Sequence, residues 1–418
     1  MNLKIVHLSL TCILFLALAI AAPAVAQPAT QPELILIVNP SQLLGRGLMR
    51  SWRRLDRNYQ GRRIEAQPYS KINFEIHPQP SNEGALAELY LEGVSIGETK
   101  NTKGSTSIYS DAVTKFHAKQ HIYASEFGID ISEPDLRIQS SQSFNRSKSK
   151  NPFAPAIAKR IYTRFPREIE AKSKQFAEQE IRRQLQQTVD DTLRMGTDLL
   201  TQAWQRFPWI GQQAWSLSST DQHVIAVLNG QYRIPPWPER SNHAANVIVN
   251  SDFLEKFAFE NLSNKSFQGE QINSFFRRLA FKSEIDRQPR KPWSVGFQAT
   301  PVTLNLDNQS VQIRLYISYF ETQGRRLGAF SVSVNYQLKT EGEILLRRVG
   351  PLFLEGEAFQ GRNQFLKSIV RQKVETQLPE AIRLNDLLDA RFTEGLDLEL
   401  RIANIKLDDQ YANIQIDK

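Results

Sequence analysis

The chain is almost without cysteine. Cys12 is the only one in 418 residues, and it sits inside an N-terminal apolar run. Everything after that run is excluded from disulfide bonding, thiol catalysis and thiolate metal binding. A phosphate loop, a dinucleotide-binding fingerprint and zinc-ligand spacing are missing as well. The N-terminal apolar run is short and wrongly flanked for a bilayer-spanning helix, with an uncleaved anchor as the lesser alternative. The apolar stretch Ile13 to Ile20 reads instead as the core of a signal peptide. Lys4 supplies the positive start, and Ala24-Val25-Ala26 the small-x-small pattern before Gln27. Cys12 interrupts the apolar core rather than closing it, which excludes a lipid-anchored cysteine. A signal peptide over residues 1–26 implies export, to the periplasm or the cell envelope. Nucleic acid is then excluded as a partner. Without disulfides the exported chain is held by its core alone, and its length suits two or three domains.

Acidic residues are in the minority. Lys and Arg number 52 against 44 Asp and Glu, a formal net charge of +8. Such an excess suits an anionic partner, either membrane headgroups or wall polysaccharide. It also suits an ordinary solvated surface rich in arginine.

What is present begins with an echo. Leu36-Ile37-Val38-Asn39-Pro40 returns some two hundred residues later as Val247-Ile248-Val249-Asn250-Ser251. Each copy is a short apolar strand, an Asn suited to capping, and a helix start. Alternating strands and a further helix follow each copy, which predicts an internally duplicated scaffold. The expected first repeat covers 34–233 and the second 244–418. Residues 234–243 form a linker stiffened by Pro235, Pro236 and Pro238.

Within the first repeat, Leu44, Leu48, Trp52, Leu55 and Tyr59 recur at spacings of three and four, which predicts a helix. Arg46, Arg50, Arg53, Arg54 and Arg57 fill much of its other side. This face is a candidate contact for an anionic surface. Residues 69 to 140 alternate as strands of an antiparallel meander. Asn145 to Pro152 reads as a loop. A long helix then carries Ile157, Ile161, Phe165 and Ile169, and beyond them Phe176, Ile181, Leu185, Val189, Leu193 and Leu200. Pro166 kinks or restarts it. A long helix lying along a curved sheet accounts for the stripe.

In the second repeat a short helix is expected near Ile272 to Phe281. Strands follow from Trp293 to Glu355. Val311, Ile313, Leu315 and Ile317 alternate with polar residues, as do Phe330, Val332 and Val334. These seven are the candidate lining of an apolar groove. Phe365, Ile369, Val370, Val374 and Leu378 mark a closing helix. Two final strands run over Leu396–Ile405 and Tyr411–Ile416.

No residue is assigned a catalytic, cofactor-binding or metal-ligating role. Gly93-Val94-Ser95-Ile96-Gly97 matches G-x-S-x-G, but no helix follows the serine, so a turn is the better reading. His117 and His121 are four apart on a segment of period two. They share one polar strand face with Lys119, an arrangement unsuited to a cation. His223 and His243 have no acidic neighbour in sequence that would mark a triad. Asp190-Asp191 reads as a solvated helix face and Asp408-Asp409 as a turn.

The Val-Asn cap with its leucine-rich continuation, the glycine-punctuated meander (Gly93, Gly97, Gly104) and the Gln/Arg-rich helix together resemble a group of exported bacterial proteins of the planctomycete type. That resemblance implies no activity. The order of helix, meander and long helix, met twice, resembles tubular lipid-binding (TULIP-type) domains. There a bent antiparallel sheet wraps a long helix and leaves an apolar groove for acyl chains. Members of that class often carry a disulfide, and here this chain departs from them.

The expectation is an α+β protein of two related halves, each a curved antiparallel sheet packed against a long amphipathic helix. The leading function is non-enzymatic binding of an apolar ligand, a lipid, without a cofactor. The alternatives are an envelope protein held by its basic surface to anionic membrane or wall material, and an enzyme whose site is assembled from distant residues.

Overall fold

The computed structural model describes residues 32–44, 47–52, 55–59, 61–125, 128–206, 215–228, 243–272, 293–340, 343–360, 364–375, 378, 380–385, 401–408 and 410–417. The expected signal peptide, most of the expected linker, the helix expected after Ile272 and the start of the strand expected at Leu396 lie outside them. The chain divides into two compact units. One runs from Asn39 to Ala226, and the other from Val227 onward together with Leu34–Val38.

Along the chain come β1 (Leu34–Val38), α1 (Pro40–Leu44), β2 (Gly47–Trp52), β3 (Leu55–Tyr59), β4 (Arg62–Ala66) and β5 (Tyr69–Gln79). Then follow β6 (Ala85–Lys103), β7 (Thr106–Ser125), β8 (Gly128–Ile131), β9 (Asp135–Ser149), α2 (Ala154–Arg164) and α3 (Pro166–Arg206). β10 (Trp215–Ser219), β11 (Val224–Leu228), β12 (Ala245–Asn250), α4 (Ser251–Leu262) and β13 (Ser266–Gln268) come next. The remainder is β14 (Trp293–Asp307), β15 (Ser310–Thr322), β16 (Arg325–Leu327), β17 (Phe330–Lys339), β18 (Leu345–Glu355), α5 (Gln364–Glu375), β19 (Ala381–Arg383), β20 (Arg401–Asp408) and β21 (Tyr411–Asp417). Strand therefore dominates, and helices are few. The strands pair antiparallel throughout the registers described.

In the first unit β6 is the spine. Its first part pairs β5, its later part pairs β4, and its whole length pairs β7. β7 in turn pairs β9, with a register shift at Tyr109/Ser110 that bends the ladder. Strict alternation along β6 and β7 buries Ala87, Leu89, Leu91, Phe116, Ala118 and Ile122 on one face. Pro166 ends α2 rather than kinking it. The residue before a proline is pushed out of helical geometry, and Phe165 sits at φ −128°, ψ 49° between the two helices.

The second unit holds two sheets. One runs β1-β12-β21-β20, the other β13-β14-β15-β17-β18-β19 with β16 on β15. The two echo segments are hydrogen-bonded neighbours, and Leu36 lies opposite Val247. Each ends in a working cap. Asn39 Oδ1 accepts from the Gln42 amide at 3.0 Å, and Asn250 Oδ1 from the Asp252 amide at 2.9 Å.

Several expectations need correction. The arginine-bearing helix is not there. α1 stops at Leu44, and its expected continuation forms β2 and β3, paired to β5 and β4. The spacing Leu44, Leu48, Trp52 is even, so it satisfies a strand's period of two as well as a helical turn. The expected loop at Asn145 is the end of β9, and the polar stretch Glu98–Lys103 continues β6. β1 belongs with the second unit, although the first repeat was expected to begin at 34. The stripe on α2 is reversed. Ile157, Ile161 and Phe165 are exposed, while Ala158 is buried. Small residues let the helix approach β9 closely, and the large ones are left outside. On α3, Ile169, Phe176, Ile181 and Leu185 are only half-buried. The side chains of Val189, Leu193 and Leu200 lie outside the description.

Candidate functional site

Two places merit inspection: an apolar seam in the second unit and a polar cleft in the first. The seam is built on β15 and β17. Antiparallel register sets Ile313 opposite Val334, Leu315 opposite Val332 and Ile317 opposite Phe330, with Val311 opposite Tyr336. All seven residues expected to line a groove thus share one face. Val311, Ile317, Phe330, Val332 and Val334 are buried, and Ile313 and Leu315 half-buried.

Two adjoining clusters take up this face. Around Ile317, Phe330 and Val332 pack Trp293, Phe297, Phe320 and, from α5, Leu366 and Val370. Around Val311 and Val334 pack Leu306, Tyr336, Leu352 and Leu378. Val374 of α5 packs against both. A third cluster around Leu338, Leu384, Ile402 and Ile405 shares the half-buried Leu346, Ile382 and Leu407 with the second. The result is one continuous apolar seam along the strands. α5 buries Leu366 and Val370 but leaves Phe365 54% and Ile369 38% exposed on its other side. Burial pushes the Tyr336 hydroxyl up to about 12, against a small opposing effect of Arg348.

The polar cleft has a volume of about 870 Å³ and lies on the outward face of β5, β6, β7 and β9. Glu75, His77, Tyr90, His117, Lys119 and Arg137 are among its lining. As the strand period requires, His117, Lys119 and His121 share one face. Lys119 Nζ lies 2.7 Å from Glu88 Oε1, His121 Nδ1 3.6 Å from the same oxygen, and His117 Nε2 4.0 Å from Glu92. Tyr90 donates to the other Glu88 oxygen at 2.5 Å. The hydrogen bonds from Lys119 and Tyr90 hold the Glu88 carboxyl below its ordinary range. Glu88 and Tyr90 raise Lys119 in return. Both groups are therefore driven further toward their charged forms. Both shifts move away from the neutral range in which an acid–base group works best.

The G-x-S-x-G segment is a packing device inside β6. A Cβ on Gly93 would stand 2.3 Å from the Phe116 ring, and one on Gly97 2.8 Å from the Pro68 backbone. Ser95 Oγ accepts from Ser70 Oγ at 3.1 Å. Of the five candidate arginines, Arg50 lies on β2 and Arg57, exposed, on β3. Arg46, Arg53 and Arg54 lie outside the described residues. A contact invisible in sequence joins His243 Nδ1 to Asp417 Oδ1 at 2.8 Å. The pairing of β12 with β21 carries the two ends of the segment together.

Comparison with known proteins adds little. No family model matches the chain, and no curated protein matches it. Two solved structures are similar to it over most of its length. A lipopolysaccharide binding protein aligns at 9% identity and TM-score 0.33, covering 93% of this chain and 99% of the other. P47 of Clostridium botulinum E1 aligns at 9% identity and TM-score 0.28, covering 92% and 98%. Scores this low do not establish a shared fold.

Proposed function

We propose that the chain is an exported, non-enzymatic lipid-binding protein of the periplasm or cell envelope. Its acyl ligand lies along the seam of the second unit, between the β15–β17 face and α5. The observation that carries this reading is the continuity of the seam. Three apolar clusters are joined end to end through half-buried residues, an elongated shape suited to an acyl chain rather than to a compact solute. The partly exposed Phe365 and Ile369 of α5 support the same reading. A helix that already shows part of Phe365 and Ile369 to solvent can shift outward over an inserted chain without exposing a new kind of surface. The size of the ligand's gain scales with apolar area covered, at about 25 cal/mol per Å².

Native mass spectrometry of the protein purified from its own envelope, followed by organic extraction, tests the reading. A reproducible added mass that extracts as lipid is the expected result. A bare protein mass that stays unchanged after incubation with phospholipid overturns the proposal.

A further inference from the structure

α2 is inside out. On a helix packed against a sheet, the large apolar residues normally face the sheet. Here Ala158 is 4% exposed, whereas Phe153 is 72%, Ile157 55%, Ile161 45% and Phe165 44% exposed. The four recur every fourth residue, from the residue before the helix to the residue after it. From Ile157 to Phe165 the stripe runs about 12 Å. Arg160 and Arg164 are exposed along its edge, and the Arg164 guanidinium lies 5.9 Å from the centre of the Phe165 ring.

The charge around this helix is one-sided. Between Asp135 and Glu168 there are eight basic residues and no acidic one. Those eight equal the formal net charge of the whole chain, +8, so the rest of the sequence is balanced. β9 delivers part of this charge. Arg146 and Lys148 are exposed near its end, and both lie over the ring of Tyr109, at 4.6 and 6.0 Å. Arg146 also pairs with Glu98 of β6 at 3.2 Å, so Lys148 and the arginines of α2 carry the unpaired excess.

The geometry points to a docking surface for an anionic lipid bilayer, formed by the outer face of α2 and the end of β9. The apolar stripe enters the boundary between headgroups and acyl chains, while the flanking arginines and lysines meet the lipid phosphates. Charge complementarity selects this occupant. An apolar stripe alone would suit a protein partner equally well, but a segment free of acidic residues suits a surface that is negative everywhere. Among the described residues no helix is long and apolar enough to cross a bilayer, so the contact of α2 is one made along the surface. This site is separate from the seam and does not depend on its having a ligand.

The test is sedimentation of the full chain with vesicles of phosphatidylcholine alone, or with about 30% phosphatidylglycerol added. Binding is expected to the anionic vesicles, weaker to the neutral ones, and to fall as salt rises from about 0.05 M to about 0.5 M. The triple variant Ile157→Ser, Ile161→Ser, Phe165→Ser is expected to bind anionic vesicles more than about tenfold more weakly. Its melting temperature should stay unchanged, since the replaced side chains face solvent. Arg160→Glu with Arg164→Glu is expected to remove the preference for anionic lipid. Equal binding to both vesicle types, or undiminished binding by the triple variant, overturns the proposal. A wild-type dimer that the triple variant converts to a monomer, with no vesicle binding by either, also overturns it and assigns the face to a second copy of this chain.

Discussion

The two units solve one problem with different chemistry. Each must fasten a helix to a curved antiparallel sheet. In the second unit α5 is fastened by apolar contact, Leu366 and Val370 against Phe330, Val332 and their neighbours. In the first, α3 is tied by hydrogen bonds. Ser173 donates to Gln142 Oε1 at 2.5 Å, and Gln142 donates to Thr99 Oγ1 at 3.0 Å and also reaches Ser110. Arg182 donates to the Pro134 carbonyl at 3.0 Å. Further hydroxyl pairs continue across the strands, Thr114 with Ser140 and Thr106 with Ser149. Apolar contact is non-directional and rewards area. Hydrogen bonds between half-buried groups add little net energy but fix orientation. The apolar fastening of the second unit tolerates sliding, whereas the hydrogen-bonded fastening of the first holds one register.

The contrast is broken most severely from the apolar side. Leu352→Ala, at a fully buried position of the seam, should cost about 3 kcal/mol in urea unfolding. Gln142→Ala, which strips α3 of its tie through Ser173, should cost about 1.5 kcal/mol. Equal losses from the two variants would contradict the distinction.

A smaller effect separates the units by pH. Burial pushes the Glu180 carboxyl on α3 upward, but hydrogen bonds from Arg183 and Gln184 outweigh it and leave the group below its ordinary range. Its contribution to stability is full above the unfolded value of about 4.3 and is lost as pH falls through the folded value. The stability gap between wild type and Glu180→Gln should therefore close in acid. Tyr336 works in the other direction. Its stabilisation is full below its unfolded value of about 10 and is lost as pH rises toward about 12. A tyrosine that ionises well after the exposed ones, seen by ultraviolet absorbance, checks the second half.

Much of the second unit was legible in the sequence because its strands alternate cleanly. Val311 to Ile317 and Phe330 to Val334 share the face that their period demands. The arginine segment misled because a spacing of four suits either period, and only the pairing of β2 with β5 and of β3 with β4 decides. The stripe of α2 was legible, but its direction was not. Periodicity marks a face without saying which neighbour it meets, and Ala154 and Ala158 are small enough to take the sheet side. The hydroxyl ties of α3 were hidden for another reason. Ser and Thr on an alternating strand look like a wet face, and here several of them, Ser110 above all, face a helix. His243 and Asp417 are far apart in sequence, so only the register of β12 with β21 reveals their contact.

The pairing of Leu36 with Val247 has a consequence in time. β1 is a five-residue strand made entirely of Leu, Ile and Val. The strand it pairs with in register is made some two hundred residues later. At typical rates of about 5–20 residues per second, β1 waits on the order of ten seconds or more without that partner. Closing so distant a pairing is slow, and an unpaired apolar strand is a template for aggregation meanwhile. Refolding yield should accordingly fall with protein concentration, and a charge placed at Ile37, half-buried in the finished sheet, should raise that yield at the expense of the native strand.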